Sequence, residues 1–184
     1  GKNEIVIGAS NGRMVRFDEN EIRCMGRSSS GVQGIELDGA IVVGADAVEP
    51  GHMVLIVTAN GYGKKSYIDE YRLTHRGSKG VKAYNVTDKN GTLVSLKCFN
   101  PEAELDLIMM TDSGMIIKLP LEQVSTLKRA TQGVRLMNLK DEQQLSTVAL
   151  VEKEKEDESE DNSSDNSSSD DTSSNEEEDN NSEE

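Results

Sequence analysis

Gly61-Tyr62-Gly63-Lys64-Lys65 and, further on, Arg76-Gly77-Ser78-Lys79-Gly80-Val81 hold a pattern that the chain repeats three times. The pattern is Gly, three residues, a basic residue, ten residues, Arg, three residues, then Gly-Val. The first copy is Gly12, Arg16, Arg27 and Gly31-Val32; the second is Gly61, Lys65, Arg76 and Gly80-Val81; the third is Gly114, Lys118, Arg129 and Gly133-Val134. The copies recur at 49 and then 53 residues. Self-similarity at this period marks an array of supersecondary units, propeller-like or solenoid, that stack to bury a shared core. Basic residues fill only 18 of the first 151 positions, so three hits out of three in both basic columns are not a matter of chance.

Each copy opens on a short apolar run: Ile5–Ala9, Met53–Thr58 and Leu107–Thr111. A turn dipeptide follows (Asn11-Gly12, Asn60-Gly61, Ser113-Gly114), and Asn-Gly between apolar runs predicts a type I′ hairpin. Second strands are expected at Arg13–Phe17, Gly63–Tyr67 and Met115–Leu119. A loop with an acidic or amide residue and an apolar anchor comes next: Glu21-Ile22, Glu70-Tyr71 and Gln123-Val124. Beyond the Arg-to-Gly-Val signature, third strands are expected at Val32–Leu37, Val81–Val86 and Val134–Leu139. Fourth strands are expected at Ile41–Ala47, Leu93–Cys98 and Thr147–Val151, with Asp38-Gly39 and Asn90-Gly91 marking two of the hairpins. Four short antiparallel strands in about 50 residues is the size of a propeller blade. The expectation is an all-β chain of three four-stranded blade repeats, at about 1–50, 51–104 and 105–151.

Charge divides the chain in two. Residues 1–151 hold 18 acidic and 18 basic residues, whereas 152–184 hold 16 acidic and 2 basic, so the net charge of −14 belongs to the tail. That tail has no aromatic or aliphatic residue, cannot bury enough surface to offset its ordering entropy, and is expected to be disordered. With two Phe, four Tyr and no Trp, the core must be built from Val, Ile, Leu and Met. Cys24 and Cys98 form no metal-binding spacing with each other or with His52 and His75, and two isolated thiols suit a reducing cytoplasm. No apolar run approaches the ~20 residues of a membrane helix. The chain starts at Gly1 inside an apparent strand, as expected for a piece of a larger protein.

The two basic columns are where function is expected. A ladder of cations along one edge of the array would track a regular polyanion, and duplex DNA is the obvious one. The ladder comprises Arg16, Lys65 and Lys118, then Arg27, Arg76 and Arg129, with Lys64, Lys79, Lys82, Lys128 and Arg135 beside them; Gln33 stands where the later copies have Lys82 and Arg135. Gly12, Gly31, Gly61, Gly80, Gly114 and Gly133 are turn positions that also allow close backbone approach. The alternative is that Arg27, Arg76 and Arg129 are internal ties to the acidic or amide positions Glu21, Glu70 and Gln123 of a neighbouring unit. Contacts are expected to phosphates rather than bases, since no recognition helix or stacking platform is evident. No carboxylate or nucleophile recurs, and no catalytic or metal-binding constellation is present. The tail offers itself as an internal polyanion competing with DNA for the ladder, with calcium buffering and phosphorylation as other uses.

At Asn60-Gly61-Tyr62-Gly63-Lys64-Lys65, Arg76-Gly77-Ser78-Lys79-Gly80-Val81, Thr87-Asp88-Lys89-Asn90-Gly91 and Arg129-Ala130-Thr131-Gln132-Gly133-Val134, the chain resembles the C-terminal domain of the DNA gyrase A subunit. Met25-Gly26-Arg27 with Gly31-Val32-Gln33-Gly34-Ile35 resembles the same domain one blade earlier, and the match covers about Glu4 to Val151. The resemblance implies a β-pinwheel, a propeller variant of usually six strand-exchanging blades whose basic rim wraps DNA. It also implies the last three blades plus a tail, within a type IIA ATP-dependent topoisomerase that introduces negative supercoils. Thr74-His75-Arg76-Gly77-Ser78-Lys79-Gly80 is the nearest stretch to the family's gyrase-A box and lacks its opening Gln-Arg. By the same resemblance the catalytic tyrosine domain, the ATP and Mg2+ sites and the gyrase B partner lie elsewhere in an A2B2 assembly of the bacterial cytoplasm and nucleoid. None of Tyr62, Tyr67, Tyr71 or Tyr84 is then catalytic, and the fragment itself has no cofactor. The competing readings are the topoisomerase IV homologue of this domain and a propeller-like protein scaffold whose Arg columns are structural.

Overall fold

The computed structural model describes residues 2–140 and 142–153. The tail expected to be disordered lies outside the described residues, except for its first two positions. There the expected boundary moves, because Glu152 ends the last strand.

The fold is all-β. Eleven strands are formed in the described residues: β1 Glu4–Ala9, β2 Arg13–Asp18, β3 Val42–Val48, β4 Met53–Thr58, β5 Tyr62–Tyr67, β6 Val81–Lys82, β7 Leu93–Phe99, β8 Leu105–Thr111, β9 Ile116–Pro120, β10 Val134–Arg135 and β11 Leu145–Glu152. One 3-10 turn follows the second strand of each unit, at Glu19–Glu21, Ile68–Glu70 and Leu121–Gln123. Three antiparallel sheets result, in the orders β3-β1-β2-β6, β10-β5-β4-β7 and β11-β8-β9.

Those orders show the strand exchange that the resemblance implies, in place of a four-stranded blade closed within each unit. The third strand of a unit does not join its own sheet. β6, from the second unit, pairs with β2 of the first through Arg13↔Lys82 and Met14↔Val81. β10, from the third unit, pairs with β5 of the second through Val134↔Gly63 and Arg135↔Tyr62. Past each short ladder the exchange continues: the amides of Ala83 and Tyr84 both donate to Gly12 O, as those of Leu136 and Met137 do to Gly61 O. Val32–Leu37, expected as a strand, is not one, because no unit precedes it in this sequence to offer a partner edge. The third sheet has three strands for the same reason at the other end.

The glycine columns follow from this exchange. A Cβ on Gly12 would stand 2.6 Å from Tyr84 O, and one on Gly61 would stand 2.8 Å from Met137 O. On the donor side, a Cβ on Gly80 would meet Met14 O at 2.2 Å, and one on Gly133 would meet Gly63 O at 2.7 Å. Gly31 and Gly114, at the outer ends of the three-unit array, have open space there.

The hairpins also differ in type from the expectation. Gly12, Gly61 and Gly114 have positive φ, but Asn11, Asn60 and Ser113 do not. Each glycine N–H donates to the residue three before it, Ala9 O, Thr58 O and Thr111 O. That is a type I turn closed by a left-handed glycine, not the type I′ turn. Asp38-Gly39, with φ of 50° and 80°, is the type I′ turn.

Apolar packing ties the sheets together. β4 is buried at all six positions because it serves two cores. By strand alternation Val54 and Ile56 join the core shared with the first sheet, while Met53, Leu55 and Val57 join the core shared with the third. The loop anchors Tyr71 and Val124 are buried, whereas Ile22, with no earlier unit to cover it, is exposed.

Candidate nucleic-acid interface

The inner strands of the three sheets, β3, β7 and β11, adjoin one another. The exchanged strands β6 and β10 therefore form the opposite, outer edges of the first two sheets. Function was expected in two columns of cations, and the structure puts those columns in different places.

The first column points inward where a following unit exists. Arg16 is only 7 % exposed. Its Nη1 donates to Ile68 O at 2.8 Å and Tyr71 O at 2.9 Å, in the 3-10 turn of the next unit. Its Nε pairs with Glu4 and its Nη2 lies 3.4 Å from Asp69. Lys65 repeats the tie one unit later, with Nζ 3.0 Å from Leu121 O and 3.5 Å from Glu122 O. Burial lowers the Lys65 pKa, with the nearby Glu122 carboxylate opposing the shift. Lys118, in the last of the three described units, is exposed and reaches back to Asp106 at 3.0 Å. For Arg16 and Lys65 the expected outward position is thus not met. A second strand held between a hairpin neighbour and an exchanged strand is the centre of its sheet's outer half, and its side chains enter the junctions.

Lys64 is placed deeper still. It is 0 % exposed, yet burial lowers its pKa only to about 8. Its Nζ donates to Lys128 O at 2.7 Å and to Arg129 O, and it stands 5.6 Å from the centre of the Tyr84 ring.

The second column stays near the surface, and for Arg76 and Arg129 the backbone N–H is tied to the acidic residue of the preceding unit that the internal-tie alternative names. Glu21 takes the Arg76 N–H at 3.1 Å through Oε2, and its backbone O takes Arg76 Nε at 3.0 Å. Glu70 takes the Arg129 N–H at 2.8 Å. In both cases the acidic residue of one unit fixes the arginine loop of the next. The guanidinium groups differ. Arg76 is half-buried, with a further contact from Nη1 to Gln33 O at 3.4 Å. Arg129 is exposed and reaches the exchanged strand through one contact, Nη1 to Lys82 O at 3.4 Å. Arg27 is exposed to solvent.

Around these arginines the outer edges carry the exposed cations. Lys82 donates to Asn85 Oδ1 at 2.6 Å, and Arg135 donates to Asn138 Oδ1 at 3.2 Å, so each edge cation is steadied by an Asn three residues on. Arg13 stands opposite Lys82 in the ladder and is exposed. Tyr62 stands opposite Arg135 and holds it by its hydroxyl, 2.9 Å from Nη2, with the guanidinium 5.4 Å and Lys89 Nζ 5.8 Å from the ring centre. Lys79 lies 3.5 Å from Glu36, and Lys128 is exposed. Arg13, Tyr62 and Lys89 were not singled out from the sequence. The signal that finds Arg13 and Tyr62 is ladder register, since they are equivalent positions opposite the edge cations Lys82 and Arg135, and Lys89 is placed by the Tyr62 ring.

Among the described residues no group of three or more His, Cys, Asp and Glu side chains is placed to hold a metal ion, and no helix is long and apolar enough to cross a membrane.

Comparison with known proteins places this geometry. The family model described as DNA gyrase C-terminal domain, beta-propeller, matches residues 3–49, 52–100 and 105–152, one match per unit. The DNA gyrase A subunit of Staphylococcus epidermidis (strain ATCC 12228 / FDA PCI 1200) is 44 % identical over 157 residues, covering 84 % of this chain and 17 % of that protein. The DNA gyrase A subunit of Staphylococcus aureus (strain MRSA252) is 42 % identical over 157 residues, covering 84 % and 18 %. The chain thus spans less than a fifth of the length of these relatives. Among solved structures, a DNA gyrase A C-terminal domain superposes with a TM-score of 0.71 at 20 % identity, over 81 % of this chain and 50 % of that one. The C-terminal domain of a DNA topoisomerase IV superposes with 0.74 at 21 % identity, over 83 % and 47 %. The fold is common to both, whereas the relatives at 42–44 % identity are gyrase A subunits. The chain belongs to the DNA gyrase C-terminal domain, beta-propeller, family.

Proposed function

We propose that this chain is an arc of a DNA-wrapping surface that works in a gyrase-type topoisomerase and is not catalytic by itself. The observation that supports it most is the outer edge: Lys82 and Arg135 sit on the exchanged strands, each steadied by an Asn, and the Arg129 loop is docked beside Lys82. Duplex DNA carries its phosphates at regular intervals, and edge cations at equivalent places on the first two sheets, Lys82 and Arg135, would follow them around the array. Side chains held by neutral amides or a tyrosine hydroxyl keep their full charge for a phosphate, and contacts of this kind fix the path of DNA without reading its sequence. Arg16, Lys64 and Lys65 have a different part in this reading: they set the angle between successive units and so the curvature of the track. In the parent enzyme the strand-passing chemistry, the ATP and Mg2+ sites and the B-subunit contacts would belong to other domains, at the bacterial nucleoid.

The test is topological. A nicked circular duplex is ligated in the presence of increasing amounts of the full chain, and the products are separated by linking number. Wrapping shifts the distribution to one side in proportion to bound protein. A distribution that stays centred, although the chain binds the duplex, would refute wrapping and leave only a DNA-binding surface.

A further inference from the structure

Three positions facing one junction break the repeat. The residue before the first-column cation is Val15 in the first copy and Ile117 in the third, but Lys64 in the second. The residue after that cation is Phe17 and Leu119, but Ser66 in the second copy; three past the Val of Gly-Val stand Ile35 and Met137, but Tyr84 in the second. Thus where Val15, Phe17 and Ile35 form a buried apolar cluster, the middle unit has Lys64, Ser66 and Tyr84, two of them with no exposed surface beside a wholly buried serine.

All three polar side chains act on one target. Lys64 Nζ donates to Lys128 O and Arg129 O, Ser66 Oγ donates to Leu127 O at 2.5 Å, and the Tyr84 hydroxyl donates to Gln132 O. Four carbonyls of the 127–132 loop are thereby fixed from inside the protein. The equivalent loop of the second unit, 74–79, faces the apolar Val15, Phe17 and Ile35, which among the described residues stand where Lys64, Ser66 and Tyr84 supply donors. Its own Thr74 hydroxyl and N–H donate to Arg16 O and its Gly77 N–H to Gly34 O, and its guanidinium anchor lies outside, through Arg76 Nε on Glu21 O and Arg76 Nη1 on Gln33 O. The two arginines differ accordingly: Arg76 is half-buried in anchoring contacts, while Arg129 is exposed with one long contact.

We propose that Lys64, with Ser66 and Tyr84, takes over at the second junction the anchoring that Arg76 performs at the first, and so frees Arg129 to bind a DNA phosphate. Lys64 is a positioning residue, and this role rests on the DNA-binding reading above. A buried ammonium holding two carbonyls is a strong restraint, because charge-assisted hydrogen bonds are roughly twice as strong as neutral ones. It also explains why a lysine is kept where both sister units have a β-branched apolar residue. Arg129 is then a phosphate contact and Arg76 a structural one, although the two occupy the same column.

The experiment has two arms, both on the full chain. In the first, amide hydrogen exchange of wild type and Lys64→Met is compared. Exchange across 127–133 should speed up on the order of tenfold while 74–80 stays unchanged; equal exchange in both proteins overturns the anchor. In the second, affinity for a short duplex is measured for Arg129→Gln, Lys64→Met and the double variant. The loss from Arg129→Gln should shrink at least ~2-fold once Lys64 is gone, and Arg76→Gln should add independently to Lys64→Met. Additivity of Arg129→Gln with Lys64→Met overturns the positioning role. Should Lys64→Met melt the junction, Ser66→Ala, which removes only the donor to Leu127 O, replaces it in both arms. A wild-type chain that binds no duplex overturns the DNA reading and the positioning role together, and the exchange arm separates that failure from failure of the anchor.

Discussion

Arg16→Met separates the two meanings of a basic column most sharply. The substitution keeps an unbranched apolar stem and removes the guanidinium. It leaves Ile68 O and Tyr71 O without the donor they have at 2.8 and 2.9 Å, and Glu4, half-buried, without its ion partner. Breaking a buried, hydrogen-bonded ion pair by deleting one partner costs about 3–5 kcal/mol, chiefly because the remaining groups stay buried and unsatisfied. For a unit of this size each kcal/mol lowers Tm by about 2–4 °C, so the expected drop is on the order of 10 °C. Duplex binding, measured by fluorescence anisotropy well below the lowered Tm, should keep the wild-type salt slope, since Arg16 is buried in the junction. A variant with unchanged Tm whose slope of log K against log salt falls by about 0.9, the amount one lost phosphate contact removes, would refute the assignment of Arg16 to the junction.

Lys64 predicts a pH signature. Its folded pKa, about 8, is below the unfolded value of 10.5, with Glu70 opposing and Arg129 adding to the lowering by burial. The unfolded chain therefore holds the proton more tightly, so this group's cost to stability is full below pH 8 and is relieved as pH rises to 10.5, by at most about 3 kcal/mol. The stability of wild type relative to Lys64→Met should rise with pH across that window in urea melts; a stability difference that is flat with pH refutes the buried ammonium. Gly80→Ala and Gly31→Ala both place a side chain at positive φ, but only the former drives a Cβ into a backbone oxygen, Met14 O at 2.2 Å. Gly31→Ala should cost about 1 kcal/mol and Gly80→Ala several-fold more, and equal melting curves would count against the strand exchange. Cys24, exposed, should react with a maleimide at neutral pH, while Cys98, half-buried with its thiol pushed up to about 12 by burial, should react far more slowly until the chain unfolds; equally rapid labelling of both would contradict the packing of β7.

Much of this architecture is legible in the sequence because it is written three times. Gly12, Gly61 and Gly114 align the hairpins, and the apolar run Met53–Thr58 already has the composition of a strand buried on both faces. Strand exchange is not legible from Val81-Lys82, since a two-residue ladder looks the same whichever edge it joins, and its partner β2 lies in another unit. Nor does the spacing that reveals the basic columns reveal which way they face. Arg16 and Arg129 are both periodic and both positive. What separates them is that Arg16 lies on a strand flanked on both sides, while Arg129 lies on a loop whose backbone is held by Lys64, Ser66 and Glu70. Gly80 and Gly133 likewise read as turn glycines, and only the neighbouring unit's backbone explains why a side chain is excluded there.

On the proposed function the outer edge, and not the inward column, holds DNA. The most direct test is the salt dependence of duplex binding by the full chain and by the triple variant Lys82→Gln, Arg129→Gln, Arg135→Gln, with Tm measured alongside. The account predicts an unchanged Tm, weaker binding and a slope shallower by about 2.7, three phosphates at about 0.9 each. A triple variant that binds with the wild-type slope would contradict it and return the exposed edge to a structural role.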